Sequence, residues 1–407
     1  MSKRILVIGA GFAGMWSALA SARLLDQLGR DDVEIALVAP APELHVRPRL
    51  YEADPGAMKA PLQALFDAVG VRFVAGHVET IDVANRKVAV IGTQAGAARR
   101  EIGYDRLVLA AGSRLFRPAI DGLDAHAFNV DQLEAAVKLD AHLKTLGQLP
   151  AGAARATVVI AGAGFTGIET AAEMPARLRE TLGADADADA EVRVILVDRN
   201  DELGPDLGPG PRPVITQALG ELGVSWKLGS GVAAVDGGGV TLANGERIEA
   251  ATVIWTAGAR ASALTAQIPG ERDGLGRLFV DRNLKVIGVE DVFATGDCAY
   301  AATDDAGNHA KMSCQHAMNL GRSAGHNAAA DLLGQASLPY SQPKYVTCLD
   351  LGPWGAVYTE GWDRVVKLEG AQAKTLKRRI NSEWIYPPAA DRAEALAAAD
   401  PLRIVVA

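Results

Sequence analysis

Two stretches of the chain share one pattern. From Ile5 to Ile8 and from Val158 to Ala161 every position is apolar, as a strand buried on both faces requires. Each run breaks at glycines spaced G-x-G-x-x-G and gives way to an alanine-rich helical segment, opening "FAGMWSALA" in one and "FTGIETAAE" in the other. The turns lie 153 residues apart, Gly9 against Gly162, and "GVRFV" at Gly70 matches "GVSWK" at Gly223 at the same offset. Short alternating strands follow in both, "ETIDVANRKVAV" and "AAVDGGGVTLANGERI", and each copy closes on an apolar strand reaching Ala-Gly, "YDRLVLAAGSR" and "AATVIWTAGAR". By then the offset has fallen to 146, because the first copy carries an extra loop around "TQAGAARR". Each copy therefore predicts strand, glycine turn, helix, strand, small antiparallel sheet, strand. That is a dinucleotide-binding unit with a β insertion.

Two such units imply two dinucleotides, which share adenosine and pyrophosphate. In the turn, the first glycine permits the tight bend, the second lets backbone approach the pyrophosphate, and the third lets helix pack on strand. The free N–H groups at the helix start then hold the phosphate charge. Gly9, Gly11 and Gly14 fit these roles, as do Gly162, Gly164 and Gly167. One match is weak evidence, and two in the same context are strong. The second strand of such a unit ends in an acid for the ribose hydroxyls. Asp198 in "VILVDRN" supplies it in the second copy and favours NADH over NADPH, because a carboxylate repels a 2′-phosphate; the neighbouring Arg199 pulls the other way. The first copy breaks the rule with Ala39, and Glu43 is a candidate substitute.

The remaining composition narrows the picture. With 49% hydrophobic residues over 407 positions, two or three ordinary cores can form. A formal charge of −8 without basic, aromatic-laced runs argues against nucleic acid. Cys298, Cys314 and Cys348 lie far apart, which fits a reducing compartment. Lys3 and Arg4 before the uncharged run to Ala22 imitate a secretory signal, but a strand, a turn and a helix explain the same residues. No segment reaches the roughly 18 apolar residues of a membrane span, and no metal site is expected. "LGADADADAE" reads as an exposed linker. After about residue 335 the repeat is gone and three of the six tryptophans gather, Trp354, Trp362 and Trp384, which suggests a third, smaller domain. The expected fold class is α/β, with two Rossmann-like dinucleotide-binding domains bearing β insertions and a small C-terminal α+β domain.

On "GAGFTGIETAAE", "VIWTAGARAS" and "VFATGDCA", in that order and spacing, the chain resembles the two-dinucleotide flavoprotein oxidoreductases, most closely the type II NADH:quinone oxidoreductases, over roughly residues 3 to 388. The resemblance implies that the first unit holds FAD and the second NAD(H). It also implies that a late Gly-Asp, matched by Gly296 and Asp297, returns to the first unit at the ribityl chain. This gives an FAD-binding domain of residues 1–120 and 272–334, an NAD(H)-binding domain of 121–271, and a C-terminal interface or membrane-contact domain of 335–407. The FAD site is then expected at Gly9, Gly11, Phe12, Ala13 and Gly14, with Arg47, Ala111, Gly112, Gly296, Asp297 and Gln315. The NAD site is expected at Gly162, Gly164, Phe165, Thr166 and Gly167, with Glu169, Asp198, Ala257 and Gly258.

Glu169 matches an acid near nicotinamide and flavin, although a solvated first-turn glutamate suits a helix dipole equally. Ser313 is expected to cap a helix, and the resemblance implies that this helix aims its positive end at the flavin, with Lys311 adding charge. Glu169, Gln315 and Lys311 are the expected catalytic residues. Quinone-reducing members carry A-Q-x-A-x-Q on that helix. Here "CQHAMN" keeps Gln315 but places Cys314 and Asn319 at two of the other positions. The cysteine pairs of disulfide- and sulfide-handling relatives are missing, and the loop "LHVRPRLYE" holds His45, Arg47, Arg49 and Tyr51 where peroxidase-type relatives want a thiol.

In "AQAKTLKRRINSEWIYPP", Leu376, Ile380 and Trp384 stand four apart, with Lys374, Lys377, Arg378 and Arg379 placed mostly off that stripe. Such a basic amphipathic helix fits an anionic leaflet, and equally fits packing on the flavin domain or on a second subunit in a homodimer. The expected protein is cytoplasmic, peripheral on the inner face of the membrane if the helix meets a leaflet. Its expected activity is FAD-dependent NADH dehydrogenation with a quinone acceptor. A ferredoxin-reductase-like or diaphorase flavoprotein with a soluble acceptor is one alternative. A non-catalytic nucleotide-sensing protein, suggested by Ala39 and Asn319, is the other.

Overall fold

The computed structural model describes residues 3–94, 96–183 and 192–403. Its architecture is α/β, and the sequence duplication reappears in the sheets. Lys3–Ile8 lies between Val33–Ala39 and Arg106–Leu109, all parallel, with Val71–Ala75 beyond Val33–Ala39. Thr157–Ala161 lies in the same way between Arg193–Val197 and Thr252–Trp255, with Val224–Lys227 outermost. Helices cover such sheets on both faces, so Ile5, Leu6 and Val7 in one strand and Val158, Val159 and Ile160 in the other are fully buried. Each unit inserts three antiparallel strands: His77–Asp82, Lys87–Ile91 and Arg99–Gly103 in the first, and Val232–Asp236, Gly239–Leu242 and Arg247–Glu249 in the second.

The late strand Val292–Ala294 pairs with Arg106–Leu109 at the far edge of the first sheet, carrying the following Gly-Asp back to that unit. Helix Cys314–Leu333 then runs against the first helix, Phe12–Gln27, at very close range. A Cβ on Gly325 would lie 2.0 Å from the Ser17 carbonyl oxygen. The gap is closed by hydroxyls instead: Ser17 Oγ donates to Gly321 O at 3.0 Å and Ser21 Oγ to Gly325 O at 2.9 Å. Ser313 caps the start of this helix and Gly334, at φ 67°, its end. Its head is thereby fixed relative to the first glycine turn.

A two-stranded ribbon, Ser113–Leu115 with Ala259–Ala261, joins the two units. After residue 335, Val346–Asp350, Ala356–Glu360 and Val365–Glu369 form an antiparallel sheet covered by helix Gly370–Arg379. The expected linker "LGADADADAE" lies almost wholly outside the described residues.

The basic amphipathic helix needs correction. Gly370–Arg379 gives way to a π-helical turn at Ile380–Trp384, so the four-residue stripe does not continue on one helix. Leu376 and Ile380 pack against Cys348, Ala356 and Tyr358 of their own sheet. Lys377 is not on a solvated basic face but buried at 5% exposure, because a buried carboxylate lies opposite it. Among the described residues no helix is long and apolar enough to cross a membrane.

Candidate active site

Both glycine turns lie at the carboxyl ends of their sheets, the place where doubly wound folds bind ligands. Gly9 and Gly162 take φ of +108° and +118°, which L side chains rarely adopt. A Cβ on Gly14 would stand 1.8 Å from Gly9 O, and one on Gly167 would stand 1.7 Å from Gly162 O. Gly11 and Gly164 differ, since a Cβ there would meet no protein atom within 4 Å. No side chain caps either helix start, so the N–H groups from Phe12 and Ala13 and from Phe165 and Thr166 are left for an outside acceptor. Ala111 with Gly112 and Ala257 with Gly258 follow the strands facing each turn, and the two glycines share the left-handed conformation, φ 66° and 78°.

The first cradle fits FAD on several counts. It is open at Gly11, and Gly296, at φ 59°, brings Asp297 beside it. The Asp297 carboxylate accepts from Ser113 Oγ at 2.6 Å and lies 3.6 Å from Arg47 Nη1. Thr295 Oγ1 and Gln315 Oε1 are buried polar atoms without a protein partner, which a polar ligand would satisfy. Lys311 is exposed; its backbone N–H reaches His316 Nδ1 at 3.3 Å. Ala39 is buried and apolar, and the suggested substitute Glu43 is held by Lys59 at 3.0 Å in the ribbon Glu43–His45 with Lys59–Pro61.

In the second cradle, Asp198 Oδ2 accepts from Ala163 N at 2.6 Å, while Oδ1 accepts from Asn200 N at 2.8 Å and Asn200 Nδ2 at 2.7 Å. Three donors fix the carboxylate at the turn. Arg199 is exposed.

Glu169, on helix Phe165–Leu182, is not solvated. At 3% exposure it accepts from Lys377 Nζ at 2.8 Å and from Asp350 N at 3.0 Å. Burial raises its carboxyl to about 7 against the pull of Lys377. Burial alone would discharge Lys377, but Glu169 outweighs that and holds the ammonium cationic. Lys377 also donates to Cys348 O at 3.0 Å, and Asp350 pairs with Lys374. The third unit therefore reaches into the head of the second unit's helix. The sequence reading missed both Lys377 and Asp350. The available signal was two lysines three apart on one helix, a spacing that surface helices also show.

The Cys314 thiol, at the head of Cys314–Leu333, feels the charges of Lys377, Glu169 and Asp297. Burial raises Cys314 to about 11, and raises Cys298 and Cys348 to about 12, so all three remain thiols at neutral pH. The amide oxygen of Asn319 is engaged by Arg322 Nη1 at 3.1 Å. From the loop of His45 to Tyr51, Tyr51 O accepts from Arg177 Nη1 at 3.0 Å, and Arg177 pairs with Asp140 at 2.7 Å. This buried pair ties the first unit's loop to the second unit's helix.

Known proteins resemble this chain along most of its length. The family model described as pyridine nucleotide-disulphide oxidoreductase matches residues 3–321. An NADH dehydrogenase-like protein of Mycobacterium tuberculosis is 50% identical over 401 residues, 98% of either chain. A type II NADH:quinone oxidoreductase of Staphylococcus epidermidis is 28% identical over 400 residues, 94% of this chain and 95% of the relative. The solved structure of NDH2 from Plasmodium falciparum in complex with NADH has the same fold, with a TM-score of 0.78 at 13% identity over 98% of this chain and 97% of that one. The chain belongs to the pyridine nucleotide-disulphide oxidoreductase family, and it is an FAD-dependent NAD(P)H oxidoreductase of the NADH dehydrogenase-like kind.

Proposed function

We propose that the protein oxidises NADH at the second cradle and delivers the electrons, by way of FAD in the first, to a quinone. In this reading residues 1–120 with 272–334 hold FAD, residues 121–271 hold NADH, and residues 335–407 complete the site between them. The observation that carries it is the pair of like cradles, each open at its second glycine, with Glu169 buried against Lys377 at the head of the second cradle's helix. FAD, held by the first glycine turn with Asp297 and Gln315, would supply the hydride-accepting and electron-passing chemistry.

The chain's own residues supply the rest. The helix heads at Gly11 and Gly164 bind the two pyrophosphates. The positive end of Cys314–Leu333 and exposed Lys311 favour negative charge at the isoalloxazine, and Gln315 offers its amide there. Reducing a quinone to a quinol with NADH consumes one proton beyond the hydride. Glu169, whose carboxyl burial raises to about 7, exchanges a proton near neutral pH and is the group placed to give that one.

Asp198 makes NADH the preferred donor. Asp198→Asn removes the charge that repels a 2′-phosphate and leaves one acceptor where the turn's donors meet two. A charge-assisted hydrogen bond is worth about 1.5–3 kcal/mol, so KM for NADH is expected to rise roughly tenfold or more with kcat unchanged, and the gap to NADPH to narrow. Equal use of both nucleotides by the unaltered protein would refute the assignment.

The second reading is a soluble acceptor, and Asn319 favours it, because the shorter amide is already engaged by Arg322. After anaerobic reduction by NADH, the protein is mixed with a short-chain quinone, an iron–sulfur protein or oxygen. Reoxidation fastest with the quinone supports the proposal; reoxidation by the iron–sulfur protein alone replaces it with the second reading.

A further inference from the structure

We infer that Asp131 is the positioning residue of the FAD site: it aims Arg47 into the first cradle and couples that aim to the seating of the second unit. The inference rests on the reading of the first cradle as an FAD site. Asp131 belongs to no glycine turn and to none of the motifs, standing in the plain stretch "FNVDQLEAA".

The geometry around the guanidinium is asymmetric. Arg47 Nε donates to the Asp131 backbone carbonyl at 3.0 Å, and Nη2 donates to Asp131 Oδ1. Two of the three nitrogens are thus held by one residue. A planar fork gripped at two points cannot swing. The third nitrogen, Nη1, is left pointing at Ser113 Oγ, 3.2 Å away, with Asp297 Oδ2 at 3.6 Å. That distance to Asp297 is too long for a hydrogen bond.

Restraint of this kind has a chemical purpose. Asp297 and the diphosphate of FAD are both anionic, and Arg47 is the cation the structure places beside Asp297. A free arginine here would collapse onto Asp297 and compete with the cofactor for its carboxylate. Asp131 holds the guanidinium back while keeping its positive charge in the groove.

Asp131 is in turn fixed from both units. Its Oδ2 accepts from Leu115 N at 3.0 Å, at the end of the joining ribbon, and from Gln132 Nε2 at 2.8 Å. Three residues earlier, Phe128 N donates to Val253 O and Phe128 O accepts from Trp255 N, both at 2.8 Å, along the edge strand of the second sheet. A shift of the second unit therefore moves Asp131, and with it Arg47.

The test is a double-mutant cycle on FAD affinity. Apo-protein is prepared as the unaltered chain, as Asp131→Asn, as Arg47→Met and as the double variant. The FAD dissociation constant is read from quenching of flavin fluorescence, and the thermal midpoint of each apo-protein is taken alongside. Asp131→Asn is expected to weaken FAD roughly tenfold, and to lower the apo midpoint by the same amount with or without Arg47, through the acceptor that Leu115 and Gln132 lose. In the Arg47→Met background the same substitution is expected to leave FAD affinity unchanged. Wild-type affinity in Asp131→Asn, or an effect that persists undiminished without Arg47, overturns the inference. Failure of the unaltered apo-protein to bind FAD would instead overturn the reading of the cradle on which it rests.

Discussion

Lys377→Met is expected to destabilise the protein by about 3–5 kcal/mol above neutral pH, the usual loss when one partner of a buried ion pair is removed. Lys377 and Glu169 are 5% and 3% exposed and 2.8 Å apart, so water cannot replace the missing charge. The loss depends on pH in a definite direction. The folded protein holds the Glu169 proton up to about 7, whereas the unfolded chain releases it near the ordinary value of 4.5. As pH rises between those values, the unaltered protein loses the stability that this proton confers, and above 7 the contribution is constant. Without Lys377 the carboxyl is pushed higher still, so the decline continues past neutrality. Thermal midpoints of the two proteins should lie close together in mild acid and diverge in mild alkali. Glu169→Gln added to Lys377→Met should recover most of the loss, because no uncompensated charge remains. A gap that is constant with pH would mean that Lys377 acts by packing alone.

The second large effect separates the two cradles. Gly14→Val and Gly167→Val place side-chain atoms where even a Cβ would come within 1.8 Å and 1.7 Å of backbone oxygen. Neither helix can then close on its turn, and the row of N–H groups loses its aim at the phosphate. Gly14→Val should purify without flavin colour. Gly167→Val should stay yellow yet resist bleaching by NADH, with at least a hundredfold loss of kcat/KM, about 2.7 kcal/mol at 1.36 kcal/mol per tenfold. If both variants lost flavin, or both kept NADH-driven bleaching, the assignment of FAD to the first turn and NADH to the second would fail.

Much of this was legible in the sequence, for a physical reason. A turn that admits phosphate needs glycine at fixed places, and a strand buried on both faces needs an unbroken apolar run, so both units declare themselves locally. The Gly-Asp of residues 296–297 was legible only by resemblance, since its role depends on a strand added to the sheet edge from far along the chain. Lys377 was assigned to the basic face of an amphipathic helix because helical spacing cannot show that a carboxylate buried some two hundred residues earlier lies opposite it. The π-helical turn at Ile380–Trp384 defeated the same periodicity. Asp131 carried no local signal at all, because its part is set entirely by contacts between units. Ala39 is buried and apolar where the ribose acid was looked for, and the neighbouring Glu43 is paired with Lys59.

The central claim is that the two cradles serve one electron path, and rapid mixing of the purified yellow protein with NADH under anaerobic conditions tests it most directly. The account predicts that the visible flavin band bleaches fully within the turnover time, at one NADH per flavin, and returns when a quinone is added. A flavin band that persists while NADH binds would contradict it.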